Sequence, residues 1–244
     1  MSTRERRDRS DKADLDLSLL FSKACAENGI SENSIALAAV GGYGRGELAP
    51  GSDLDITIIH NLKSSDLDKF VSTLLYPLWS AGTPVDHSVR TIDEFLAVAN
   101  EDLRVILGAL DIRHIAGNSQ LTESAQNRIL KLWKRSNKKR IETLKFSINE
   151  RVERSGELAF LLEPDLKEAR GGLRDANTLR AIEKLGSIDV PLERISAAEL
   201  LLQNVREALH TASSKPKDQL LLTEQDKVAA ILNYDDADSL MLDV

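Results

Sequence analysis

Cysteine is almost absent from this sequence. Its 244 residues include a single cysteine, Cys25. One thiol cannot form an intramolecular disulfide, and it cannot supply the paired cysteines of a zinc knuckle. The absence favours a reducing compartment, so we expect a cytoplasmic protein in which Cys25 is a packing residue.

Long hydrophobic runs are missing as well. No apolar run approaches the roughly 20 residues that a membrane-spanning helix needs, so no membrane partner is expected. The first 14 residues mix arginines with acidic residues, which is not the pattern of a signal or transit peptide. We predict that residues 1–30 form a charged flexible head that leads into the first helix.

Positive charge is not in excess. Lysine and arginine number 32 against 39 acidic residues, and the formal net charge is -7. A general nucleic-acid binder needs surplus basic residues to displace counterions from phosphates. The composition therefore argues against nucleic acid as a partner and favours a small molecule or another protein.

Apolar residues are spaced differently in the two halves of the chain. From residue 35 to about residue 91, short apolar runs alternate with loops and one helical segment at 64–79, as in a small mixed sheet. After residue 92 the spacing is almost entirely helical. The pattern predicts an α+β protein in which a small α/β domain at 31–95 is followed by a helical bundle domain at 96–244.

The stretch VGGYGRGELAPGSDLDITII, residues 40–59, carries the clearest chemical signal. Side chains alternate along a β-strand, so Asp53 and Asp55 are predicted to point to one side while Leu54 and Ile56 point into the core. Two carboxylates about 6.5–7 Å apart along a strand can converge on hard cations. We expect the site to bind Mg²⁺ or Mn²⁺ together with a polyphosphate. A polar strand edge beside a glycine turn is the structural alternative.

The glycines provide the second half of this candidate site. Without side chains, Gly41 and Gly42 let backbone N–H groups approach a polyphosphate, and Ser52 can add a hydroxyl. Arg45 is a further candidate contact for the nucleotide. Residues 41–47 do not match two other glycine-rich nucleotide-binding motifs. Glu47 stands at the position where a P-loop has its lysine, and also where the dinucleotide-binding motif has its third glycine.

Residues 40–56 resemble the signature of the DNA polymerase β-like nucleotidyltransferase superfamily: an apolar residue, Gly-Gly, ten residues, then Asp, apolar, Asp. Together with DHSVRT (86–91), LEPDLKEARGGLRDANTL (162–179) and LLLTEQDKVAAILNY (220–234), they are similar, in the same order, to blocks of the PII uridylyltransferase family. The resemblance implies transfer of UMP from UTP, or AMP from ATP, to a tyrosine of the nitrogen-signalling protein PII. Pyrophosphate would be released by a two-metal mechanism.

The superfamily resemblance also implies a third carboxylate on a neighbouring strand. In PVDHSVR, strand alternation puts Asp86, Ser88 and Arg90 on one face. Asp86 can therefore join Asp53 and Asp55 as a catalytic and metal-binding residue. The alternative is that Asp86 is a surface carboxylate paired with Arg90.

The block EPDLKEARGGLRD is predicted to begin a helix after Gly171 and Gly172. Free N–H groups at such a helix start would suit a phosphate. By resemblance this block lines the nucleotide site, with Lys167 and Arg174 as candidate contacts, so the helical domain is expected to cover the nucleotide and to dock the partner. A capping loop that joins the two halves is the alternative.

Two other functions stay open at this point. A different nucleotidyltransferase, such as a glutamine synthetase adenylylating enzyme, would share the carboxylates but not the 162–175 block. A non-catalytic regulatory module would be expected to lack the carboxylates, which are present. The family resemblance also implies a hydrolase domain and glutamine-sensing domains, but none of the four histidines is followed by aspartate. We therefore expect neither removal activity nor glutamine sensing in this chain, whether it is a fragment or a short form.

Overall fold

The structure is a computed structural model that describes residues 2–63, 67–135, 137–213 and 216–244. It contains two compact units. The sheet unit comprises Arg4–Leu48 and Ser52–Arg135, and the helical unit comprises Ser136–Val244 with the short segments Met1–Thr3 and Ala49–Gly51.

The sheet unit contains four strands and six helices within its described residues. In chain order they are α1 (Thr3–Asn28), β1 (Ile35–Ala39), α2 (Gly41–Gly44), β2 (Leu54–His60), α3 (Leu67–Ser80), β3 (Val85–Arg90), α4 (Ile92–Glu101), α5 (Leu103–Ala109), β4 (Arg113–Gly117) and α6 (Ser119–Arg135). The helical segment predicted at 64–79 corresponds to α3, and residues 64–66 lie outside the described residues.

The strands form one mixed sheet in the order β3-β2-β1-β4. Strand β1 is antiparallel to β2 and β4, whereas β3 is parallel to β2. One face of this sheet packs against α1 and α3, where the rings of Phe21 and Phe70 meet edge to face with centroids 5.6 Å apart. The α+β class predicted from the sequence is confirmed.

The amino terminus differs from the flexible head predicted for residues 1–30. Thr3–Asn28 forms a continuous helix in which Leu17, Phe21 and Ala24 are fully buried. Their spacing is that of one helix face, and burying a side chain of the size of Leu17 or Phe21 stabilises by about 1.5–3 kcal/mol. The charged first turns are packed as well, since Arg6 and Ser10 are buried and Arg9 Nε donates to the carbonyl oxygen of Leu48 over 2.9 Å. Cys25 is buried as expected, and burial raises the pKa of its thiol to about 11.

The boundary between the units also differs from the one expected at residue 95. Strand β4 pairs with β1 and supplies the fourth strand of the sheet. The sheet unit therefore continues through α6 to Arg135. Helical spacing after residue 92 is the reason that the sequence alone assigned this part of the chain to the helical domain.

The helical unit contains five helices in its described residues. They are α7 (Asn137–Ser155), α8 (Leu173–Glu183), α9 (Leu192–Ala212), α10 (Leu222–Leu232) and α11 (Ala237–Asp243). Its core is formed where Val205 and Leu209 of α9 pack with Val228 of α10 and with Leu166 of the loop before α8. No helix in the described part of the chain is long and apolar enough to cross a membrane.

Candidate functional site

The parallel pairing of β2 and β3 sets two of the predicted carboxylates side by side. Asp55 of β2 pairs in register with Asp86 of β3. Two positions further along, Thr57 and Ser88 also pair, and their hydroxyl oxygens are 2.9 Å apart. Since alternate residues of a strand share a face, the Thr57–Ser88 contact places Asp55 and Asp86 on the same face of the sheet.

The three carboxylates differ in their exposure. Asp53 directly precedes β2 and is exposed, Asp55 is half-buried, and Asp86 is exposed. Leu54 and Ile56 are buried in the core on the opposite face, as predicted. Among the described residues, no ion pair joins Asp86 and Arg90.

The glycine turn lies next to these carboxylates. Helix α2 is a four-residue turn, and the N–H of Val40 just before it donates to the carbonyl oxygen of Asp55 over 3.0 Å. Gly41 has a φ of +58°, and a Cβ at this position would lie 3.5 Å from Oδ2 of Asp55. The Asp55 carboxylate therefore faces the start of the turn, as a shared cation and phosphate site requires.

The last glycine of α2 is required for packing. A Cβ on Gly44 would overlap the carbonyl oxygen of Asp111, which is backbone and cannot move aside as a flexible side chain can. We expect Gly44→Ala to lower the free energy of unfolding by about 2–3 kcal/mol, measured by urea denaturation.

Gly42→Ala is the matched control for this prediction, because its added carbon would meet only Nη2 of Arg45 at 3.8 Å. Equal stability of the two variants would contradict the packing role assigned to Gly44.

Arg45 is held inside the sheet unit by two carboxylates. Its Nε lies 2.8 Å from Glu47 Oε2 and its Nη1 lies 2.6 Å from Asp111 Oδ2, and 17% of the side chain is exposed. Although burial disfavours the charged guanidinium, these two carboxylates raise the pKa of Arg45. The structure thus gives Arg45 a role in holding the turn, and contact with a nucleotide stays a prediction for this residue.

A second set of contacts on the turn was missed by sequence reasoning. The hydroxyl of Tyr43 donates to Asp14 over 2.6 Å, and Arg113 is also paired with Asp14. Arg113 further donates to the carbonyl oxygens of Tyr43 and Gly44 at 3.2 and 3.1 Å. Burial and the Asp14 hydrogen bond raise the pKa of Tyr43, which keeps it a neutral donor. No local pattern connects residues so far apart in the chain.

Ser52 presents an unsatisfied hydroxyl beside Asp53. Its oxygen is buried and has no hydrogen-bond partner within the described residues. Buried polar atoms are normally paired, so this hydroxyl is suited to a ligand oxygen such as that of a phosphate. The Ser52 hydroxyl and the nearby carboxylates are oxygen donors, the kind that a divalent cation with a polyphosphate takes.

The carboxylates are not gathered into a closed ligand set. In the part of the chain that the structure describes, no group of three or more His, Cys, Asp or Glu side chains is arranged to hold a metal ion. Asp55 and Asp86 share a face of the sheet. That Asp53 joins them at a bound cation stays a prediction.

The two candidate contacts from the helical unit are paired with carboxylates of that unit. Lys167 Nζ lies 3.5 Å from Asp218 Oδ2. Arg174 approaches Glu168 Oε1 with Nε at 2.7 Å and Nη2 at 2.6 Å. Both side chains are 40% exposed. Nucleotide contact by Lys167 and Arg174 stays a prediction.

The start of α8 differs from the phosphate site predicted there. The N–H of Gly171 donates to Asp175 Oδ2 over 2.8 Å. The next three N–H groups donate to the carbonyl oxygens of the preceding loop, residues 166–169. A Cβ on Gly172 would lie 2.9–3.0 Å from those same oxygens. The prediction of free N–H groups at this helix start is therefore wrong, because the loop folds back tightly onto it.

Two family models match the chain in sequence order. Residues 20–110 match the nucleotidyltransferase domain, and residues 139–188 match the family described as GlnD PII-uridylyltransferase. The first match contains the glycine turn and all three carboxylates, and the second contains Lys167 and Arg174.

Several curated proteins named bifunctional uridylyltransferase/uridylyl-removing enzyme are similar to nearly the whole chain. The one from Streptomyces coelicolor is 48% identical over 229 residues, which are 92% of this chain and 27% of the relative. Those from Mycobacterium tuberculosis and Corynebacterium glutamicum are 40% and 36% identical, over 91% and 76% of this chain and 29% and 26% of the relatives. The chain thus spans about a quarter of the length of these relatives, and the resemblance predicted from its motifs is confirmed.

Proposed function

We propose that this chain, a homologue of the PII-uridylyltransferases, transfers a nucleoside monophosphate from UTP or ATP to a tyrosine of a PII signalling protein. The observation that carries the proposal is the in-register pairing of Asp55 with Asp86 beside the glycine turn. This geometry lies inside the segment that matches the nucleotidyltransferase domain.

Asp53, Asp55 and Asp86 would hold the divalent cations, Mg²⁺ or Mn²⁺, since carboxylate oxygens are the ligands that these hard cations prefer. When bound, the cations would offset the negative charge of the triphosphate and of the leaving pyrophosphate. Gly41 and Gly42 would let the backbone approach the phosphates, and the Ser52 hydroxyl would donate to a phosphate oxygen.

The transfer step moves one phosphorus between two oxygens. The tyrosine oxygen of the partner forms a bond to the α-phosphorus, and the bond from that phosphorus to the β-phosphate oxygen breaks. Pyrophosphate leaves with the electron pair of the broken bond. We assign the phenolic proton to Asp86, because it is the carboxylate of β3, pairs in register with Asp55 and is exposed, so that it is open to an incoming side chain.

A glutamine synthetase adenylylating enzyme is not favoured as an alternative, because residues 139–188 match the PII-uridylyltransferase model. We assign docking of the PII protein to the helical unit, which carries that match. A cytoplasmic location agrees with the single buried cysteine.

The proposal predicts which molecules the protein will label. Incubation with a PII protein, Mg²⁺ or Mn²⁺ and a triphosphate labelled at the α-phosphate should transfer label to PII from UTP or from ATP. A PII variant with phenylalanine at the acceptor tyrosine is the control and should stay unlabelled. The proposed function would be contradicted if no tyrosine of PII or of any other protein became labelled with either triphosphate and either cation.

A further inference from the structure

The three residues Ala49–Gly51 belong to the helical unit, although their neighbours on both sides belong to the sheet unit. Pro50 lies two residues before Ser52 and three before Asp53. A contact that holds the backbone at Pro50 therefore restrains the segment that carries both of these site residues.

A buried side chain of α9 makes such a contact. The side chain of His210 is only 2% exposed, and its Nδ1 lies 2.8 Å from the carbonyl oxygen of Pro50. A carbonyl oxygen can only accept a hydrogen bond, so Nδ1 carries the proton and donates it. The bond joins residues 160 positions apart, and it fixes the Pro50 carbonyl in one direction.

The other ring nitrogen of His210 faces an acid. Nε2 lies 3.5 Å from Asp218 Oδ1, which is longer than a normal hydrogen bond, and it has no hydrogen-bond partner within the described residues. Arg206 Nε lies 2.6 Å from the same oxygen, and Lys167 Nζ lies 3.5 Å from Oδ2. Although burial opposes ionisation, the contacts with His210, Arg206 and Lys167 lower the pKa of Asp218. Within the described residues, the bond from Nδ1 to the Pro50 carbonyl is the one hydrogen bond that orients the imidazole.

We propose that His210 is a positioning residue for nucleotidyl transfer, which holds the Pro50 carbonyl and thereby fixes the backbone that presents Ser52 and Asp53 to the triphosphate. His210 touches no reacting atom in this role. The kinetic part of the proposal rests on the proposed function, whereas the restraint on the loop does not.

Three substitutions separate the two ring nitrogens. His210→Asn keeps an amide N–H near the position of Nδ1, His210→Gln keeps one near Nε2, and His210→Leu keeps neither. We expect kcat for transfer to PII to fall at least about tenfold in His210→Gln and His210→Leu, because small displacements of catalytic groups are costly. His210→Asn should stay within about threefold of the wild type. KM for the triphosphate should change less than kcat.

Amide hydrogen exchange without any nucleotide gives an independent measurement. Exchange at Gly51, Ser52 and Asp53 should be faster in His210→Gln and His210→Leu and unchanged in His210→Asn. Equal loss of kcat in the Asn and Gln variants, or unchanged exchange in this loop, would overturn the positioning role. A fall in kcat that parallels the fall in melting temperature across all three variants would also overturn the positioning role. A wild-type protein that transfers nothing, while the exchange pattern holds, would instead overturn the proposed function and support the Pro50 restraint.

Discussion

The Asp55→Asn substitution is expected to lower nucleotidyl transfer at least about a hundredfold, and Asp53→Asn should act in the same way. Each substitution keeps the size of the side chain and removes one negative charge from the face that would hold the cations. Asp55 is half-buried and its carboxylate faces Gly41. We therefore expect no other acid to take its place when it is replaced. Initial rates with an α-labelled triphosphate and PII measure the effect.

Asp68→Asn is the matched control for these variants. Asp68 is an exposed acid of α3 in the same unit and has no assigned role in the site, so its replacement should leave the rate unchanged. Circular dichroism and urea unfolding establish that each variant is folded. Near-normal turnover in a folded Asp53→Asn, Asp55→Asn double variant would rule out the nucleotidyltransferase assignment.

The Asp86→Asn substitution is expected to lower transfer at pH 7 by about tenfold or more, with partial recovery as the pH rises. A tyrosine hydroxyl titrates near pH 10, so at pH 7 only about one phenol in a thousand is ionised without help. The ionised fraction rises about tenfold per pH unit up to that value. Loss of a base therefore matters most at neutral pH. Triphosphate binding should change less than in Asp53→Asn.

Ser88→Ala controls for a general disturbance of β3. Ser88 lies on the same face as Asp86 and contacts Thr57, and its replacement should keep the pH profile of the wild type. A defect of Asp86→Asn that is constant across the pH range would indicate cation binding without proton transfer. Wild-type rates at every pH would show that Asp86 is a surface carboxylate and that Asp53 and Asp55 are the only acids of the site.

The core of the site was predictable because it depends on neighbouring residues. Strand alternation needs only the order of residues in the chain, and it correctly separated Asp55 from the buried Leu54 and Ile56. The position of the glycine turn also followed from neighbouring residues. Only the folded structure shows that Gly41 has a positive φ and that Gly44 leaves no room for a Cβ. The α+β class followed from the change of apolar period along the chain.

Long-range pairing could not be predicted from local pattern. Alternation assigned Asp86 a face, but the parallel register of β3 on β2 is what sets it beside Asp55. The ion pair of Arg113 with Asp14 joins residues 99 positions apart, and it gives Asp14 a function in a segment that was expected to be flexible. The hydrogen bond of His210 to Pro50 also joins residues far apart in the chain, so local pattern could not predict it.

The sequence by itself determined the apolar periods, the spacing of Asp53 and Asp55, and the family motifs, because all of these are relations between neighbouring residues. Tertiary structure alone decided that the amino terminus is helical, that the sheet unit extends to Arg135, and that the N–H groups at the start of α8 are already paired. The physical reason is that burial, strand register and hydrogen-bond satisfaction depend on groups that approach only after the chain has folded.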